Sequence, residues 1–123
     1  MTSDYNQLFR ERTKKLCVAI IKSLSVLPYS DDLSVIRKQI YRASTSVAAN
    51  YRAVGRARSQ KEKFTKLCIV VEEADETQFW LEIIQELEYL DSITLESLKI
   101  ECEEILKVMS SYKKKISDQN NSL

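Results

Sequence analysis

The sequence predicts an all-α protein: one domain, folded as an antiparallel up-down-up-down four-helix bundle. Three observations carry that expectation. The chain has 123 residues, room for one modest core and too few for two. It holds one Gly and one Pro, whereas folds built on sheets need many such residues in their turns. Apolar residues also recur at steps of three and four along four long stretches, the period of a helix with one buried face.

The first helix is expected to begin near Ser3 or Asp4, either of which can cap it, and carries Phe9, Leu16, Ile20, Leu24 and Leu27 on one side. Pro28 closes it, because proline disfavours α conformation in the residue before it. Ser30, Asp31 and Asp32 supply a cap and first-turn acids for the second helix. Its seam runs Leu33, Ile36, Ile40, Ala43, Val47, then Asn50 or Tyr51, then Val54. Gly55 follows, where a left-handed residue is expected to end the helix.

Ser59-Gln60-Lys61-Glu62 has the capping-box pattern and opens the third helix. That helix runs through Phe64, Leu67, Val71, Ala74, Gln78, Leu81 and Ile84 to about Leu90. Thr94 is the expected cap of the fourth, with the seam Leu95, Leu98, Cys102, Ile105, Met109, Tyr112 and Ile116. Residues 117–123 lack apolar periodicity and are expected to form a disordered tail, leaving the bundle domain over residues 1–116. Short links make successive helices antiparallel neighbours.

The composition also removes functions. Histidine is absent, which excludes Ser-His-Asp and Cys-His catalysis, Glu-x-x-His di-iron sites and His-ligated zinc. With no glycine-rich phosphate loop, the expectation is no enzyme: no catalytic residue, cofactor, metal or small-molecule substrate. Cys17, Cys68 and Cys102 form no Cys-x-x-Cys pair and read as small core hydrophobes. The longest apolar run, residues 16–21, is far short of the ~20 residues that span a bilayer. No membrane partner is expected, and the expected location is cytoplasmic.

Net charge is +1, yet the charges are segregated. Residues 37–66 hold nine bases against Glu62 alone, while residues 67–104 hold twelve acids against Lys99 alone. Threaded up and down, the chain gathers the start of the first helix, the second turn and the end of the fourth helix at one basic end. Asp31, Asp32, Glu86, Glu88, Asp91 and Glu96 gather at the other. Matching of charges to helix macrodipoles explains the second and fourth helices but fails for the third, whose bases come first and acids last. The basic end, with Arg52, Arg56, Arg58, Lys61 and Lys63, is therefore the candidate surface for an anionic partner.

Two further constellations stand out. Gln39, Arg42, Ser46 and Asn50 form one stripe beside the second helix's seam, expected as either a buried polar network or an oligomer interface. Glu72, Glu73, Asp75 and Glu76 crowd one helix, whereas di-metal bundles draw carboxylates from several helices. They read as an acidic face, solvated or turned to another subunit. Phe79 and Trp80 read as core or interface anchors.

The residues Gln39-x-x-Arg42-Ala43-x-x-Ser46-Val47-x-x-Asn50-Tyr51-Arg52, then Arg56-Ala57-Arg58-Ser59, then Glu73-Ala74-Asp75-Glu76-Thr77 with Trp80-Leu81, resemble the 23S rRNA intervening-sequence family of small bacterial four-helix bundles. Accessory variability determinants of diversity-generating retroelements are relatives within that group. Ala53 and Val54 stand where its commoner Asn-x-x-Glu-Gly form has Glu and Gly. The resemblance implies a homo-oligomeric ring, often a pentamer, with a basic surface. In the retroelement branch it implies binding to a reverse transcriptase and nucleic acid. Two functions are thus expected in turn: an oligomeric accessory protein that engages nucleic acid or its handling partner, or a purely structural protein–protein module.

Overall fold

A computed structural model describes residues 3–121 of the chain. Four helices account for nearly all of them: α1 (Ser3–Ser25), α2 (Asp31–Val54), α3 (Gln60–Glu86) and α4 (Ser92–Asn121). No strand occurs among the described residues. Each helix packs on its chain neighbours, α1 closes against α4, and the diagonal pairs do not meet. This is the up-down-up-down bundle that short connections dictate.

The α4 seam is buried at all seven expected positions. In α2 the choice between Asn50 and Tyr51 falls to Tyr51, 1% exposed, whose phenol donates to Asn6 Oδ1 at 2.9 Å. Burial, with Tyr112 of α4 adding to it, pushes that phenol's pKa above its ordinary value. In α3 the buried line is Leu67, Val70, Ala74, Thr77, Leu81 and Ile84, so Val71 and Gln78 turn to the flank. The run Ile69-Val70-Val71 permits either stripe, and Thr77 can enter the core because its hydroxyl donates to Glu73 O at 2.8 Å. Thr13 is buried in the same way, bonded to Phe9 O at 2.8 Å. A hydroxyl satisfied by the preceding turn removes the cost of burying it.

The serine caps form as expected: Ser30 Oγ accepts from Leu33 N–H and Ser59 Oγ from Glu62 N–H, both at 3.1 Å. Other ends differ. The cap of α4 is Asp91, not Thr94: Asp91 Oδ2 accepts from Thr94 N–H at 2.8 Å, which holds its carboxyl below the usual range. The helix starts at Ser92, placing Thr94 inside its first turn. The α1 helix stops at Ser25, and the Arg37 guanidinium of α2 donates to Leu24 O at 2.7 and 3.1 Å and also to Leu27 O. That cation binds carbonyls in the last turn of α1 and just beyond it from the neighbouring helix.

Gly55 is right-handed (φ −66°), because two further tight turns, Arg56 N–H to Ala53 O and Ala57 N–H to Val54 O, carry the chain onward. The left-handed position falls instead on Glu88, φ 58°. Tyr89 N–H bonds Ile84 O at 3.2 Å and Glu88 N–H bonds Gln85 O at 3.1 Å. Those paired bonds are a Schellman stop, and it ends α3 before the expected Leu90. At the other terminus α4 continues to Asn121, so residues 117–121 are helical rather than a disordered tail. Extending an established helix needs no new nucleus. Residues 122 and 123, the rest of the expected tail, lie outside the described residues, as do residues 1 and 2.

The contacts fix which ends meet. The Tyr51–Asn6 bond joins the end of α2 to the start of α1, and Tyr5, Tyr112 and Lys115 line one hollow there. At the opposite end Arg37 grips the end of α1, and Lys99 Nζ donates to Gln85 Oε1 at 2.6 Å between α4 and α3. The basic α2–α3 turn and the acidic α1–α2 and α3–α4 turns therefore occupy opposite poles.

Glu88 is exposed in a backbone region that disfavours a Cβ. Glu88→Gly should raise stability by about 0.5–1 kcal/mol, read as a higher urea midpoint at unchanged slope. An unchanged or lower midpoint would show that the left-handed stop stores no strain.

Candidate functional site

On the basic pole a hollow of about 450 Å³ opens between α1 and α2. Thr45, Ala48 and Ala49 contribute small side chains from α2, and Arg10, Lys14, Arg52 and Arg56 stand around them. Arg10 and Lys14 are one helical turn apart and project from the same side of α1, while Arg52 lies in the last turn of α2 and Arg56 in the turn just beyond its end at Val54. The antiparallel register set by Tyr51 and Asn6 brings the α1 pair opposite the α2 pair.

Glu11 is the one carboxylate lining the hollow, and it accepts from Gln7 Nε2 at 3.2 Å. Gln7 Oε1 in turn accepts from Arg10 Nη2 at 2.8 Å. Lys14, Arg52 and Arg56 are exposed and make no ion pair among the described residues. Guanidinium groups present a planar fork suited to phosphate oxygens, and lysine adds a mobile point charge. The hollow can therefore hold anions.

The five cations read from the sequence are divided by the structure. Arg52 and Arg56 line the hollow. Arg58 is 88% exposed and pairs with Glu62 at 3.3 Å, while Lys61 and Lys63 lie on the first turn of α3. Arg10 and Lys14 were not singled out, because Asp31 and Asp32 farther along bring residues 1–36 to a net charge of only +1. The signal was their four-residue spacing opposite the small face of α2.

The polar stripe of α2 is a surface network, not a buried one. Arg42 is about half exposed and reaches across to α3, with Nη1 donating to Glu73 Oε2 at 3.1 Å and Nη2 paired to Glu76. Gln39 Oε1 accepts from Arg42 Nε at 3.5 Å. Asn50 Nδ2 donates to Ser46 O and Oγ at 2.9 and 3.0 Å. Half of the acidic face is thus used within the chain, leaving Glu72 and Asp75 outward. An exposed pair of this kind contributes about 0.2–1 kcal/mol. Trp80 packs on the core, whereas Phe79, edge-on to it at 5.0 Å, stays half exposed.

Cys17 and Cys102 are buried, and burial raises both pKa values, that of Cys102 to about 12. No group of three or more metal-ligating side chains occurs among the described residues. No described helix is long and apolar enough to cross a membrane.

Fold and charge together define a small antiparallel helical bundle with a cationic groove between α1 and α2. The model of the 23S rRNA-intervening sequence protein family matches residues 6–111, and the chain belongs to that family. It is similar to the crystal structure of a protein of unknown function from the S23 ribosomal protein family of Bacteroides thetaiotaomicron. The two are 31% identical with a TM-score of 0.78, over 89% of this chain and 97% of the other. No curated protein matches the chain.

Exposure orders the thiols: Cys68 is half-buried, and Cys17 and Cys102 are buried. A thiol reagent on the native protein should modify Cys68 rapidly and the other two only in denaturant, with sites assigned by peptide mass. Rapid native labelling of Cys102 would contradict the packing of α4.

Proposed function

We propose that this protein is a non-enzymatic accessory factor that binds nucleic acid through its basic pole. It works as a homo-oligomer beside a nucleic-acid-handling partner, such as a reverse transcriptase. The observation carrying this reading is the α1–α2 hollow, where four cations face one carboxylate that Gln7 already occupies. Surface cations that serve stability are paired, as Arg12 is with Glu101 and Arg42 with Glu73 and Glu76. Those of the hollow repel one another and gain most from a polyanion. Multiple copies would multiply a modest contact into useful avidity.

The test is fluorescence anisotropy of a labelled oligonucleotide at low salt. Joint reversal of Arg52→Glu and Arg56→Glu should lower affinity by about tenfold or more with helicity unchanged. Undiminished binding, or none by the unaltered protein, contradicts the reading. Light scattering should return a mass several times that of one chain, and a monomer would remove the oligomer.

A second reading rests on α3. Glu72, Asp75, Phe79 and Glu82 are all exposed along one outer ridge, an acidic strip with a central aromatic. In a purely structural module this ridge would meet the basic pole of another copy. That module forms a salt-sensitive oligomer and ignores nucleic acid, which separates it from the first reading.

A further inference from the structure

We infer that the hollow between α1 and α2 seats the sugar–phosphate backbone of a single nucleic-acid strand and does not admit a duplex. The inference rests on the nucleic-acid reading above and adds which form of nucleic acid the site takes. Its first support is width. Neighbouring helices pack about 8–10 Å apart, so the trough between them is narrow. A duplex, whose major groove alone is about 12 Å across, is too broad to sink in and would touch only the rim.

The second support is the floor. Thr45, Ala48 and Ala49 present little side chain, and the Thr45 hydroxyl is turned inward onto Tyr41 O at 2.6 Å. A strand can therefore approach the α2 backbone closely. The third is periodicity. Arg10 and Lys14 on one wall are separated by one turn of α1, about 5.4 Å along the axis, and on the other wall Arg52 in the last turn of α2 is followed by Arg56 just beyond it. The α1 wall thus repeats its charge on the scale at which an extended strand repeats its phosphates, with two further cations facing it.

The lining also says what the site does not read. No aromatic side chain lines the hollow, so it offers no stacking platform for bases. Single-strand proteins that discriminate by stacking place aromatics beside their cations. Recognition here is electrostatic and indifferent to base sequence.

Anisotropy with a labelled single-stranded deoxythymidine oligomer and a duplex of equal length, across a salt series, tests this. The single strand should bind at least about tenfold more tightly. Its plot of log affinity against log salt should slope at about −3, the value for four phosphate contacts on a single strand. Arg10→Gln and Lys14→Gln should each make that slope shallower by about 0.7, while Lys38→Gln, an exposed cation far along α2, should leave it unchanged. Circular dichroism verifies that each variant is folded. A duplex bound as tightly as the single strand overturns the inference and leaves nucleic-acid binding standing. Slopes that respond equally to Lys38→Gln also overturn it. Failure of both probes to bind removes the parent reading as well.

Discussion

Tyr51 sits sealed in the core with its hydroxyl on Asn6. That bond joins the end of α2 to the start of α1, and the molecule's charge layout follows from the antiparallel packing it belongs to. With links too short for a crossover, α2 must return beside α1 and α4 beside α3. Basic residues far apart in sequence then meet at one pole, and the acidic turns meet at the other. The poles are a consequence of threading rather than of any local helical preference. The third helix accepts bases at its start and acids at its end, against its own dipole, at a cost of some tenths of a kcal/mol per charge.

The arginines divide by what they serve. Arg37 caps α1 from α2, Arg12 binds Glu101 across α1 and α4, and Arg42 bridges α2 to α3. Three different helix pairs are thereby stapled, each by one guanidinium. Arg12 also lies over the Phe9 ring at 4.7 Å, and its bond to Glu101 raises its pKa. Arg10, Arg52 and Arg56 staple nothing and converge on one groove. A bundle whose structural cations are already committed elsewhere leaves that groove available to a partner.

Much of this was legible in the sequence because bundles are written in periodicity. The α4 seam has one apolar stripe and no competing one, so every member is placed. The α3 seam was misplaced by one residue at two points, since Ile69-Val70-Val71 offers two stripes and a back-bonded Thr77 does not announce itself as core. Glu88 held the left-handed position that glycine would be expected to mark, because the α2–α3 link reverses through right-handed tight turns at Gly55 whereas α3 ends in a Schellman stop. The basic pole was legible from charge order alone. The groove was not, because it needs Arg10 and Lys14 from a segment, residues 1–36, whose net charge is only +1. Only the three-dimensional register sets them opposite Arg52 and Arg56.

The chain belongs to the 23S rRNA-intervening sequence protein family, and its helices pack as a four-helix bundle. The central claim is that threading concentrates anion affinity at one pole, in one groove. Amide chemical shifts of isotopically labelled protein, followed while a short single-stranded oligonucleotide is added, test it most directly. The account predicts saturable shifts at Arg10, Lys14, Thr45, Ala49, Arg52 and Arg56, with residues 26–31 and 87–92 silent. Shifts centred on those two turns, or spread evenly over the surface, would contradict it.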